Sequence, residues 1–95
     1  MQAYEIIYII QPDLEEEALT AAVDRFSAVI TANGGEVESI DKWGKRRLAY
    51  EIKDYREGYY VLTTFNSEAH VAQELERILK ISENVLRFLT TKKES

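Results

Sequence analysis

The run at residues 3–10, Ala-Tyr-Glu-Ile-Ile-Tyr-Ile-Ile, constrains the fold more than any other stretch of the chain. β-branched and aromatic residues with a single charge fit a strand that is covered on one face and flanked on both sides, so a sheet must be built around it. Gln11-Pro12-Asp13 ends the run, because proline cannot donate to a ladder. Asp13 with Glu16 three residues later has the spacing of a capping box. A helix is expected over 14–33, with Leu19, Ala22, Val23, Phe26 and Ile30 on one face and Glu17, Thr20, Asp24, Ala28 and Thr31 opposite. Gly34-Gly35 stops it, and Glu15, Glu16 and Glu17 occupy the first turn, where the helix dipole favours negative charge.

Residues 36–52 are too many for one average strand, and Gly44 in their middle predicts a bulge or bend separating 37–40 from 45–52. In the second part Arg46, Leu48, Tyr50 and Ile52 share one face, and Arg47, Ala49 and Glu51 take the other. A polar loop is expected at 53–57. A third strand covers 58–66, with Tyr59, Val61, Thr63 and Phe65 on one side and Tyr60, Leu62 and Thr64 on the other. Ser67 suits the cap of a second helix reaching residue 80, with Val71, Leu75 and Ile78 as its apolar face and Ala72 and Leu79 at the margin. A fourth strand follows at 85–91, then a frayed tail over 92–95. The order β-α-β-β-α-β predicts an α+β, ferredoxin-like fold: a four-stranded antiparallel sheet with both helices on one face and the other face open.

Charge is distributed unevenly within a net balance of −5. Residues 1–41 carry nine acidic side chains and one basic one, whereas residues 42–56 carry six basic and two acidic, a local balance of +4. Cations concentrated on one predicted strand of an acidic chain call for a specific anionic partner rather than general affinity for polyanions. Ninety-five residues, 45% hydrophobic and 31% charged, suit one domain over 1–95 with no separate catalytic module. With no run of eighteen apolar residues and no secretory pattern at the start, neither a membrane association nor export is expected, and a cytoplasmic location is.

Catalytic chemistry has little to work with. The absence of cysteine excludes disulfides, thiolate nucleophiles and sulfur-ligated zinc. His70, the one histidine, lies at the start of the second helix with no partner, and reads as a surface or capping residue. Glu15, Glu16 and Glu17 point in different directions on a helix, so they form a solvated first turn and not a metal site. No cofactor is expected. The loop after the first strand, acidic and without glycine, would repel phosphate. The third strand invites comparison with the RNA-recognition motif, but Glu57 and Tyr60 stand where that signature has a basic and a small residue. Arg46 and Arg47 remain: arginine on a strand can guard an edge against aggregation, or its fork can hold phosphate or carboxylate.

Tyr4-Glu5, the motif Trp43-Gly44-Lys45-Arg46-Arg47-Leu48-Ala49-Tyr50-Glu51-Ile52, Gly58-Tyr59-Tyr60 and Asn84-Val85-Leu86-Arg87 together resemble the bacterial small-subunit ribosomal protein numbered six, over almost the whole chain. The resemblance implies a ferredoxin-like architectural protein without catalytic activity. It also implies binding to the central domain of small-subunit ribosomal RNA as a heterodimer with ribosomal protein eighteen, a small basic neighbour. Tyr4, Arg46, Arg47 and Arg87 occupy positions similar to the family's contact residues, and Lys92 joins them as an expected RNA or partner contact. Gln2 and Leu86 stand where many relatives are basic, which thins the RNA-facing charge. The acidic surface then attracts the basic neighbour, and the basic strand adds a few phosphate contacts. The alternative is a ferredoxin-like module that self-associates or binds a small molecule on its open face.

Overall fold

The computed structural model of the chain describes residues 1–93. Strand β1 (Gln2–Ile10) is followed by helix α1 (Glu16–Ala32), strands β2 (Glu36–Ile52) and β3 (Tyr55–Ser67), helix α2 (Ala69–Ile81) and strand β4 (Val85–Lys92). The sheet order is β2-β3-β1-β4, and every pairing is antiparallel. The apolar run of β1 therefore lies inside the sheet, flanked by β3 and β4 as its composition requires.

Both helices cover one face. Tyr4, Ile6, Tyr8 and Ile10 of β1, with Val61 and Phe65 of β3, pack against Val23, Phe26 and Ile30 of α1 and Leu75 and Leu79 of α2. Tyr8 meets Phe26 edge-on, with ring centroids 5.3 Å apart. In α2 the buried stripe is Val71, Ala72, Leu75 and Leu79, so Leu79 is central and Ile78 marginal, the reverse of the sequence expectation.

Both expected caps fail. Helix α1 starts at Glu16 with Glu15 as its N-cap and no side-chain capping bond. Asp13 is otherwise engaged: its carboxylate accepts a 3.1 Å hydrogen bond from the Tyr55 hydroxyl of the β2–β3 hairpin. A tertiary bond has thus taken the acceptor that the local motif would have used. Ser67 ends β3, fully buried, and its hydroxyl donates to the Glu68 carbonyl; Glu68 is the N-cap of α2. The far end of α1 closes as expected, with the Gly35 N–H donating to the Ile30 carbonyl and the Gly34 N–H to that of Thr31.

Strand β2 runs through all 17 residues, and the irregularity expected at Gly44 is present as a bulge within it. It reaches that length by bending. Register shifts fall between Val37 and Ser39, between Lys42 and Gly44, and between Arg47 and Ile52, each adding local twist. Gly44 sits at the second, with φ +86, a backbone conformation that a side chain would strain. The loop expected at 53–57 is a two-residue turn: Lys53 and Asp54 have φ of 49 and 69, and Tyr55 already pairs with Ile52. Two successive positive φ values define the hairpin turn that matches strand twist. The expected fray at 92–95 is also displaced. Lys92 pairs with Tyr4, the Lys93 N–H donates to the Ala3 carbonyl and the Lys93 ammonium lies 3.4 Å from Glu5. The rest of that stretch, residues 94–95, lies outside the described residues.

Past Gly58 the hairpin curls over the open face of the sheet. Leu48 packs there with Ile9 and Leu86, joined by Ile52, Tyr55 and Tyr60. A Cβ on Gly58 would lie 2.2 Å from Ile9 Cγ2 and 3.4 Å from Leu48 Cδ2, so only glycine lets the two layers close. Gly58→Ala is expected to destabilise the fold by about 1–3 kcal/mol and to loosen the hairpin end selectively; thermal unfolding and amide exchange of residues 48–56 measure both.

The Tyr8, Thr63 and Thr90 hydroxyls are buried on the helix side without hydrogen-bond geometry to any partner. Burial pushes the Tyr8 phenol well above its ordinary value of 10.0, with the nearby Thr63 hydroxyl opposing the shift. Because the folded chain keeps a proton that the unfolded chain releases, stability is full below pH 10 and falls as pH rises beyond it. Tyr8→Phe is expected to be neutral or stabilising by up to about 1 kcal/mol at neutral pH, and to remove the Tyr8 share of the alkaline fall. Denaturant unfolding at pH 7 and above pH 10 checks both signs.

Candidate functional site

The face turned away from the helices is built by strand alternation. Tyr60, Leu62 and Thr64 of β3 stand beside Ile9, Ile7 and Glu5 of β1, which in turn stand beside Arg87, Leu89 and Thr91 of β4. Ile7, Ile9, Arg87 and Leu89 border a shallow apolar depression of about 200 Å³. Leu89 is 65% exposed, so this strip is a surface and not a second full core.

Trp43 is the extra residue at the second bulge of β2, between the Lys42–Val61 and Gly44–Tyr60 pairs. Its ring stacks on Tyr60 with centroids 6.2 Å apart and planes 11° from parallel, and its indole N–H donates to Asp41 Oδ2 at 3.0 Å. Arg46, opposite Gly58 in register, holds its guanidinium 5.6 Å from the Trp43 ring. At the other end of the face Arg87 lies 5.4 Å from the Tyr50 ring. β2 and β4 are opposite edges of the sheet, so Tyr50 reaches Arg87 only because the hairpin end folds across the intervening strands.

Each such contact contributes about 0.5–1 kcal/mol at an exposed position. That is enough to orient a guanidinium and too little to bury it. The ring covers one face of the group and leaves its in-plane N–H donors available. The face therefore presents two oriented arginine forks, exposed aromatic rings and an apolar strip between them. Such forks bind phosphate or carboxylate in two-point fashion, and such rings take stacked bases or apolar side chains.

Of the five residues singled out in the sequence, the structure brings Arg46 and Arg87 to this face. Arg47 takes the other face, opposite Glu57, and borders a shallow depression with Ala49, Glu51 and Arg56. Tyr4 lies away from this face: at 9% exposure it is part of the helix-side core, stacked on Phe65 with centroids 5.4 Å apart. Its pattern position in β1 matches Ile6, Tyr8 and Ile10, and that position decides its burial. Lys92 is exposed but pairs with Tyr4 and so shares the helix side. It stands five β1 residues, ~17 Å, from the Ile9–Arg87 pair.

Trp43, Tyr50 and Tyr60 complete the site and were not singled out as contacts. The alternation of β2 placed Tyr50 beside Arg46 in pattern, but the face Trp43 takes depends on the bulge. His70 is exposed in the first turn of α2, and among the described residues no three His, Cys, Asp or Glu side chains are grouped to hold a metal ion. Among those residues no helix is long and apolar enough to cross a membrane.

Comparison with known proteins places this geometry in context. The family model described as ribosomal protein S6 matches residues 3–92. The small ribosomal subunit protein bS6 of Desulfitobacterium hafniense is 65% identical over 94 residues, covering 99% of each chain. The bS6 protein of Moorella thermoacetica is 55% identical, covering 99% of this chain and 96% of its own. The crystal structure of 30S ribosomal protein S6 from Thermotoga maritima superposes with a TM-score of 0.92 at 30% identity, covering 97% of this chain and 87% of that one. The chain belongs to the ribosomal protein S6 family, structural and non-enzymatic components of the small ribosomal subunit.

Proposed function

We propose that the chain binds the central domain of small-subunit ribosomal RNA jointly with ribosomal protein eighteen, and that this joint binding is its part in assembling the subunit. The observation that carries the reading is the placement of Arg46 and Arg87 on aromatic rings of one open face. Both side chains are exposed on an otherwise acidic molecule. The apolar strip of Ile7, Leu62 and Leu89 suits a protein neighbour, and the two forks suit phosphates at its rim. No bond is made or broken; recognition relies on a rigid sheet.

The charge balance favours cooperation. A chain of net −5 is repelled by RNA at long range, though salt screens that repulsion beyond about 8 Å. A basic neighbour bound first removes much of it. Tyr4 supports the platform from below in this reading, whereas Lys92 and Arg47, on the other side of the sheet, stand apart from the open face.

Titration of a central-domain RNA fragment, with and without the partner, tests the proposal. The partner is expected to tighten RNA binding at least tenfold. Tight binding by this chain alone, indifferent to the partner, overturns the cooperative account. Arg46→Ala and Arg87→Ala should each weaken the ternary complex by ~10-fold or more, the equivalent of one charge-assisted hydrogen bond of about 1.5–3 kcal/mol. Arg47→Ala should cost several-fold less, and none of the three should lower stability by more than about 1 kcal/mol. Equal losses from Arg46 and Arg47 would remove the open face from its assigned role.

A further inference from the structure

Where the hairpin end meets the start of β4, three cations from three separate elements surround one depression of about 240 Å³. Lys53 comes from the hairpin turn, Lys80 from the last turn of α2 and Arg87 from β4; Leu79, Val85 and Leu86 form an apolar floor, and no carboxylate lines the depression. The volume is several times the ~30 Å³ share of one liquid water, yet below the ~300–1,000 Å³ of sites that enclose a whole small molecule. It suits a single tetrahedral anion and excludes an enclosed nucleotide.

Resting on the reading above, we infer that Lys53, Lys80 and Arg87 form a seat for one phosphate group of the RNA backbone, a contact separate from the fork of Arg46. Lys53 is held in place for it. Its backbone is left-handed, φ 49, in a turn where asparagine and glycine are the favoured residues, and its ammonium lies 3.4 Å from the Val85 carbonyl. An ammonium has three donors, so two remain. Arg87 has one face covered by Tyr50, which fixes the plane of its fork. Among the described residues neither Lys80 nor Arg87 is paired with a carboxylate. Three donors approaching from three elements match the oxygens of a phosphate better than a planar carboxylate, which a single arginine fork would satisfy. The buried floor of Leu79, Val85 and Leu86 keeps water from one side and so strengthens the attraction.

The helix dipole by itself favours a lysine in the last turn of α2, so the test must separate structure from ligand. Lys53→Asn keeps a residue that accepts the left-handed turn, and Lys80→Gln keeps length without charge; thermal unfolding of the pair confirms that the fold is intact. Inorganic phosphate is titrated at low ionic strength, with chloride as control, and amide shifts are read over the chain. The expected result is saturable shifts confined to residues 53 and 79–88, weakened at least fivefold in the double variant. Shifts spread over all basic residues, or equal shifts with chloride, overturn the seat. In the ternary complex the double variant should reduce the slope of log affinity against log salt by ~1–2. An unchanged slope assigns the seat to free phosphate and overturns the RNA contact. An equal loss in the protein–protein complex measured without RNA means that a partner carboxylate occupies the seat, which also overturns it. Failure of the wild-type chain to join RNA and partner at all strikes the earlier reading, and is visible before any variant is made.

Discussion

The contact of Leu48 with Ile9 across Gly58 is the constraint on which the open face depends. Without it the hairpin end would run on past the sheet as a free ribbon. With it, the last turn of β2 lies over the strands, Ile52 and Tyr55 join a small apolar cluster, and Tyr50 lands beside Arg87. The Asp13–Tyr55 bond and the Lys53 contact to the Val85 carbonyl hold the same hairpin end at two further points. Partial burial, and then the Asp13 carboxylate it donates to, push the Tyr55 phenol up from its ordinary range, consistent with a retained proton in that bond. A modest amount of buried surface thus sets the relative positions of groups that lie far apart in the sequence.

Separation of charge follows from the layers. The exposed side of α1 with its cap carries Glu15, Glu16, Glu17 and Asp24 against Arg25 alone. The cations of residues 42–56 sit instead on the hairpin, at one edge and one end of the sheet. An acidic layer and a basic ribbon on one small body present opposite signs to different neighbours. Such a body is steered by its surroundings more than by its net charge, which fits an assembly component better than a free binder of polyanions.

Much of the fold could be read in the chain because period and composition are local properties. The β1 run announced a flanked strand, the 3.6-residue pattern of Ala22, Val23, Phe26 and Ile30 announced the face of α1, and alternation in β3 sorted Val61 and Phe65 from Tyr60 and Leu62. The errors occurred where two local signals competed with a distant one. Asp13 had capping geometry in sequence and a tyrosine in space. Ser67 had cap chemistry, yet closure of the core against Gly35 buried it. Gly44, by contrast, was legible as a bulge or bend, and its register against β3 makes it a bulge.

The sequence by itself determined the order of elements, the two-faced character of β1 and β3, and the positive stretch on β2, because each depends only on spacing along the chain. It also placed Arg46 with Leu48 and Tyr50 on one strand face. Tertiary structure alone decided that Trp43 leans on Tyr60, and that Arg87 lies against an aromatic ring and borders a depression shared with two lysines from other elements. Those outcomes turn on how far a 17-residue strand twists and where it folds back. Twist accumulates over many residues and is fixed by packing between layers, so no short window of sequence contains it.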